Sequence, residues 1–214
     1  MNLGAFHARI SQALRRGTSL DDVIPLWVAE SANLIETTRT WSWMKRTSSV
    51  TTDPNAEAPN RIEMPSTRVK SFEYIKWAKP DPLDPTVTIY EDLKGVDPIQ
   101  VTGITNLYPA GFWLDGLSFI WLDANPAVAI ELVLRYNEFT DWPILDNAEP
   151  ALLARGLSLL SSEVLLLASQ ENRDPRLTEI YQARRDKAFV ALELSEQELQ
   201  FHHQGSMKMT YVPR

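Results

Sequence analysis

The chain has 214 residues, of which 44% are hydrophobic and 23% are charged. These values are typical of a folded globular protein and exclude wholesale disorder and a fibrous repeat. The 21 basic and 28 acidic residues give a net charge of −7, which disfavours sequence-specific binding to nucleic acid, because neutralising phosphates normally supplies much of that affinity.

The sequence contains no cysteine, which excludes disulfides, thiolate metal sites and cysteine nucleophiles. Its apolar stretches are much shorter than the roughly 20 residues of a membrane span. The N-terminal stretch "MNLGAFHARISQALRR" lacks the apolar region of a signal peptide. We therefore expect synthesis in the cytoplasm and no membrane partner.

Two amphipathic helices are predicted at the N-terminus. Apolar residues at steps of three and four predict the first over Leu3–Arg16. Ser19 and Asp22 have the spacing of a capping box for the second, and Pro25 requires either a start near Ile24 or a kink. Its predicted buried stripe comprises Val23, Ile24, Trp27, Val28, Leu34, Ile35 and Trp41.

The region from Arg46 to Pro143 is rich in Thr, Val, Ile and aromatic residues in short runs separated by prolines. This punctuation is incompatible with long helices and predicts a small antiparallel sheet, with "PDPLDP" as a loop. The candidate strands are Thr47–Thr52, Arg61–Met64, Val69–Trp77, Thr86–Tyr90, Gln100–Thr102, Gly111–Leu114, Ser118–Leu122 and Ala129–Tyr136.

The stretch "GFWLDGLSFIWLDANP", residues 111–126, contains two acids that are candidates for a catalytic loop or for turns. Asp115-Gly116 is a two-residue hairpin signal, and Asp at a turn bonds local backbone amides. We therefore favour turn roles for Asp115 and Asp123 and expect Trp121 in the core.

Two helices are predicted after Asn147. The first is "EPALLARGLSLLSSEVLLLA", whose two apolar stripes require cover from more than one side. Asp174 and Pro175 open the second as N-cap and first residue, and it runs to His202. One face of this closing helix carries Leu177, Tyr181, Ala188, Leu192 and Leu199. Because this stripe is thin, the helix either projects, rests on a partner or is a solvated surface helix.

The order of elements predicts an α+β fold: a helical bundle of about four helices, two N-terminal and two C-terminal, with a central small antiparallel β domain. We treat the chain as one domain, 1–214. Its predicted parts are the N-terminal helices (1–45), a β-rich middle (46–146), the C-terminal helices (147–204) and an extended tail (205–214) that is strand-like and suited to pairing with a sheet edge.

Residues that carry chemistry are scarce. The histidines are His7, His202 and His203, a poor set for a metal, because adjacent helix residues point in different directions. Phosphate-loop, dinucleotide and nucleophile-elbow motifs do not occur. We predict no enzyme activity and no cofactor or metal site.

The seven tryptophans have mostly acidic or neutral neighbours, which favours packing in the core or at subunit interfaces over a base-stacking platform.

Several stretches together resemble the head-to-tail adaptor (connector) proteins of tailed bacteriophages, over about residues 3–200. They are "LWVAESANLIETTRTWSWMKRTSSVTT", "NRIEMPSTRVKSFEYI", "YPAGFWLDGLSFIWLDANPAVAIELVLRYNEFTDWP" and "RLTEIYQARRDKAFVALELSE". The family's short motifs fall on Trp27, Glu30, Ala32, Trp43, Met64, Pro65, Pro109, Trp121, Pro126, Leu134, Tyr136, Trp142, Pro143, Tyr181 and Ala188. The middle around "WAKPDPLDPTVTIYEDLKG" is longer than the family minimum, and "HHQGSMKMTYVPR" has no counterpart.

The resemblance implies a structural virion protein of the neck. It would form a homo-oligomeric ring of twelve copies between the portal protein and a tail or nozzle protein. Double-stranded DNA would pass through the lumen without specific binding, and an acidic subunit would limit adhesion there. The closing helix and tail would contact the portal, and the β-layer would meet the next tail component.

The predicted interface residues lie on the closing helix and the tail: Tyr181, Leu192, Leu199, Phe201, Met207, Met209 and Tyr211.

Two alternative functions stay open. One is another neck or tail-tube ring component of the same phage, and the other is an unrelated α+β binding module or enzyme, which a deep pocket with convergent acids would favour.

Overall fold

The structure is a computed structural model that describes residues 1–14, 20–81, 83–84, 86–100, 104–106, 108–142 and 145–204. The side chains of Pro80 and of residues 200–204 lie outside this description. The fold is α+β, as predicted. The chain forms two compact units: a helical unit, Met1–Trp43 with Thr140–Arg214, and a β unit, Met44–Phe139.

The described part of the helical unit contains five α-helices rather than about four. They are α1 (Leu3–Leu14), α2 (Ile24–Thr38), α3 (Ala151–Arg155), α4 (Leu157–Glu171) and α5 (Pro175–Gln204). Helix α4 contacts each of the other four, which explains why the predicted helix there is apolar on so much of its circumference. No described helix is long and apolar enough to span a membrane.

Helix α2 starts at Ile24, with Pro25 in its first turn. Amides in the first turn have no intrahelical acceptor, so the missing N–H of proline costs no hydrogen bond there. No side-chain hydrogen bond caps it, and Ser19 of the predicted capping box lies outside the described residues. The predicted buried stripe was wrong at two positions. Leu34 is 45% exposed, and Trp41 is buried but lies beyond the end of the helix.

The predicted helix after Asn147 is interrupted at Gly156, between α3 and α4. The amide of Gly156 donates to the carbonyl of Leu152 at 2.6 Å. A Cβ at this position would lie 2.8 Å from Leu152 Cδ1 and 3.2 Å from the Leu152 carbonyl oxygen. Glycine therefore permits a close approach that the apolar pattern does not reveal.

The start of α5 agrees with the prediction, because Asp174 Oδ1 accepts the amide of Leu177 at 3.0 Å. At 30 residues, α5 is about 45 Å long at 1.5 Å per residue. Its buried described side chains are Leu192 and Glu196, so most of its surface is left exposed.

The described strands of the β unit form two four-stranded sheets and one two-stranded sheet. The strands are β1 (Lys45–Thr51), β2 (Arg61–Glu63), β3 (Val69–Pro80), β4 (Thr88–Asp92), β5 (Lys94–Gly95), β6 (Thr105–Asn106), β7 (Gly111–Asp115), β8 (Phe119–Leu122), β9 (Asn125–Pro126) and β10 (Glu131–Glu138). The sheet orders are β1-β10-β3-β4, β2-β8-β7-β5 and β6-β9.

The two four-stranded sheets share one apolar core. The first sheet contributes Ile75, Trp77, Leu132, Leu134 and Tyr136, and the second contributes Ile62, Ile120 and Leu122. Antiparallel pairing dominates, as predicted, but β5 pairs with β7 and β6 with β9 in parallel. These parallel pairs are two residues long. No strand was predicted at β5, β6 or β9, whereas β7 lies where the strand Gly111–Leu114 was predicted.

The β7–β8 hairpin confirms the interpretation of "GFWLDGLSFIWLDANP" as paired strands. Its loop has three residues instead of two, since Asp115 pairs with Phe119, and Gly116 has a φ of 61°. The expectation of a core position for Trp121 was wrong. Ile120 and Leu122 supply the fully buried face of β8, and Trp121 is half-buried on the other face.

The other strand predictions hold to within a few residues at β1, β2, β3, β4 and β10. The predicted strand at 100–102 was not found in its described part, because Gln100 ends a 3-10 turn, Pro98–Gln100. The remaining residues of that prediction lie outside the description. In the predicted "PDPLDP" loop, Pro80 ends β3.

Candidate functional site

The segment Trp41–Met44, with the sequence "WSWM", lies just after α2 and carries an aromatic stack. Trp41 is fully buried, and its indole N–H donates to the carbonyl of Ile35 at 2.9 Å. The Trp41 and Trp43 rings are parallel with centroids 5.1 Å apart, and Phe189 of α5 meets Trp41 edge-on at 5.8 Å. The stack therefore ties the end of α2 to α5.

A buried carboxylate, that of Glu36, fastens this segment to the returning chain. Glu36 Oε1 accepts the Trp43 indole N–H at 3.2 Å and the Thr140 hydroxyl at 2.5 Å, and Oε2 accepts the Thr140 amide at 2.9 Å. Trp43 and Thr140 are the residues at which the helical unit ends and resumes along the chain. Glu36 thus binds both the last residue before the β unit, Trp43, and the first residue after it, Thr140.

A second buried carboxylate, Glu196 of α5, holds Ser42. Its Oε2 accepts the Ser42 amide and its Oε1 accepts the Ser42 hydroxyl, both at 2.9 Å. Arg155 Nη1 lies 3.8 Å from Glu196 Oε1, and Arg39 Nη1 pairs with Glu193 Oε1 at 2.5 Å one turn earlier. We call Glu36 and Glu196 the carboxylate clamp.

The two clamp carboxylates act as hydrogen-bond acceptors that hold separate segments of the chain together. All four carboxylate oxygens accept hydrogen bonds from the protein's own donors, and both side chains are buried. Charge-assisted hydrogen bonds of this kind are strong and fix geometry. We infer that the clamp sets the path of the chain at residues 42–43 and 140.

Glu163 of α4 is a third buried carboxylate. Arg185 Nε of α5 lies 3.2 Å from Glu163 Oε2. Burial raises the pKa of Glu163 above its ordinary 4.5; Arg185 opposes this shift and Asp186 adds to it. Arg185 also pairs with Asp186, with Nη1 and Oδ1 3.2 Å apart.

An open groove of about 740 Å³ lies between α1, α4 and α5; we call it the α1–α4–α5 groove. Its floor is mostly apolar or small, and three cations surround it. The floor includes Ile10, Ala13, Leu157, Leu165, Tyr181 and Ala188. The cations are Arg9, Arg184 and Lys187, and the Arg184 guanidinium lies 5.6 Å from the Tyr181 ring centroid.

The predicted interface residues fall into three groups. Tyr181 is half-buried in the floor of the groove, and Leu199 is 42% exposed further along α5. Leu192 is only 6% exposed because it packs inside the helical unit. Phe201 lies in α5 with its side chain outside the description, and Met207, Met209 and Tyr211 lie outside the described residues.

The two acids of the hairpin region differ in position. Asp123 lies in a bend after β8 and accepts the amide of Ala110, 13 residues away, with its two oxygens at 3.1 and 3.3 Å. Asp115 is the last residue of β7 and pairs with Phe119, so it borders the turn. His7 Nδ1 lies 3.6 Å from Asp146 Oδ1; burial lowers the pKa of His7, and Asp146 opposes this. No group of three metal-ligating side chains occurs among the described residues.

Sequence reasoning missed the three buried glutamates. The available signal was an acid within an apolar helical pattern: Glu36 follows Ala32 by one turn, and Glu163 stands inside "LLSSEVLLL". An acid at such a position requires a partner, because an unpaired buried charge is costly.

Neither the family models nor the curated proteins give a match to this chain.

Proposed function

We propose that this chain is a structural virion protein, a head-to-tail adaptor that forms a twelve-copy ring between the portal and the tail of a tailed bacteriophage. In this proposal a helical bundle flanks a central β domain, and the role is architectural, with no catalytic step, metal or cofactor. The protein would be made in the host cytoplasm and would reside in the neck of the virion.

The observation that carries the proposal is the closing helix. Over about 45 Å, α5 buries two described side chains, whereas Val190, Leu194 and Leu199 are 54, 56 and 42% exposed. A long helix with exposed apolar side chains, followed by the apolar tail residues Met207, Met209 and Tyr211, is suited to resting on a partner. We assign the portal to this surface, with the β unit facing the next tail component.

Two further features support an architectural role. The buried carboxylates of the clamp accept hydrogen bonds from the protein's own backbone and side chains. The net charge of −7 suits a subunit beside a DNA channel, because like charge opposes adhesion of the phosphate backbone.

The test is the mass of the purified protein, alone and mixed with portal rings of the same phage, measured by light scattering. An adaptor should join the portal as a complex of many copies. The matched variants are Leu194→Asp on the exposed face of α5, which should weaken joining, and Leu117→Asp at the β7–β8 loop, which should not. Indifference to the portal combined with binding to a lower tail component would favour a different neck or tail-tube ring protein.

A further inference from the structure

We propose that the α1–α4–α5 groove receives the exposed face of helix α2 from a second copy of this chain. The proposal rests on the adaptor function, because it names the surfaces through which neighbouring copies in the ring would meet. Its two halves are an apolar floor with a cationic rim on one copy and an apolar, acidic helix face on the other.

The groove is positively charged in an otherwise acidic protein. Arg9, Arg184 and Lys187 surround its floor, and within the described part of the chain none of the three forms an ion pair. By contrast, Arg185 on the same helix is paired with Glu163 and Asp186. The rim therefore offers three cations to an acidic occupant.

Helix α2 presents the complementary surface. Leu26 and Leu34 are 68% and 45% exposed, and with the exposed Glu30 between them they lie at steps of four residues, on one face. Asp21 and Asp22 precede the helix and are exposed. The helix itself, "IPLWVAESANLIETT", contains no basic residue.

The two surfaces are distinct. The opposite face of α2, with Trp27, Val28 and Ile35, is buried, and α2 packs on α4, which also contacts α1 and α5 at the groove. Since the exposed face of α2 and the groove are different patches, their contact is head-to-tail, and a head-to-tail contact with the right rotation closes into a ring.

Charge reversal tests the contact. Lys187→Glu and Glu30→Lys should each weaken self-association of the full chain by roughly tenfold or more, because like charges oppose each other across an interface. The double variant should recover most of the loss. Lys94→Glu, an exposed lysine of the β unit, makes the same charge change and should leave association unchanged. Sedimentation over a concentration series gives the dissociation constants, and circular dichroism confirms that each variant is folded.

A cysteine pair provides an independent test, since the chain has no cysteine of its own. Ala13→Cys places a thiol in the groove, and Asn33→Cys places one on the exposed side of α2. Treated with a short bismaleimide, the double variant should give a ladder of dimers, trimers and larger species on a denaturing gel. Each single variant should give no ladder.

Several results would overturn this proposal: a wild-type chain that stays monomeric at all concentrations, single charge variants that associate like wild type, a double variant no better than either single one, or cross-linking that stops at the dimer. These outcomes are distinguishable from failure of the adaptor function. Joining the portal in many copies without a ladder refutes only the groove contact, and a ladder without portal binding refutes only the adaptor role.

Discussion

The two units hold their cores together by different means. The helical unit buries the carboxylates of Glu36, Glu163 and Glu196, whereas the buried polar side chains described in the β unit, those of Thr52, Asn60 and Asn137, are all uncharged. Each glutamate meets donors or a cation from another segment of the chain. The helical unit is thus specified by charge-assisted hydrogen bonds as well as by packing, and the β unit mainly by apolar packing.

This difference has a physical origin in the backbone. In a sheet, the ladder satisfies most amides, so the side chains of β3, β8 and β10 can fill the core with apolar volume. Where helices end and the chain crosses between units, amides lack ladder partners. In the helical unit the side chain of Glu36 supplies an acceptor for Thr140, and that of Glu196 supplies one for Ser42.

The largest expected effect is loss of volume in the β unit. Leu134 of β10 is fully buried in the shared core, and Leu134→Ala should lower the free energy of unfolding by about 2–5 kcal/mol, through lost transfer energy and the cavity left behind. Leu117→Ala, at a 41% exposed position, is the control and should change it by under about 0.5 kcal/mol. Chemical denaturation gives both values, and equal effects would refute the described core.

The next effect is loss of the clamp in the helical unit. Glu36→Ala removes the acceptor of the Trp43 indole N–H and of the Thr140 amide and hydroxyl. Leaving a buried donor without an acceptor costs about 1–3 kcal/mol, so we expect a loss of unfolding free energy in that range or above.

The control for the clamp is Glu179→Ala, an exposed acid of α5 in the same unit, which should change the unfolding free energy by under about 0.5 kcal/mol. Hydrogen exchange sharpens the comparison, since the Thr140 amide should lose protection in Glu36→Ala. Retained protection there, with stability like that of Glu179→Ala, would show that Glu36 does not hold the returning chain in place.

The contrast between the units also explains what the sequence could predict. Periodicity located α1, α2, α5 and most strands, because alternation and helical spacing are local consequences of burying one face. The break at Gly156 and the parallel pairs β5–β7 and β6–β9 were not predictable, since they depend on tertiary approach. At the candidate site, the bend at Asp123 was predicted, but its partner Ala110 lies 13 residues away. Thr140 lies 104 residues from Glu36, and Ser42 lies 154 residues from Glu196.

The smallest expected effect is a pH dependence specific to the helical unit. The pKa of Glu163 is raised by burial above its ordinary 4.5, so the folded state holds this proton to a higher pH than the unfolded state does. Stability from this group is therefore greatest at low pH and declines as pH rises from about 4.5 through the folded pKa. Glu163→Gln cannot ionise, so the unfolding free energy of the wild type should fall relative to this variant across that window. Gln170→Ala, at the exposed end of the same helix, changes no ionisable group and should instead run parallel to the wild type from pH 4 to 8. If the Glu163→Gln curve were also parallel, the carboxylate would be as well solvated in the folded state as in the unfolded chain.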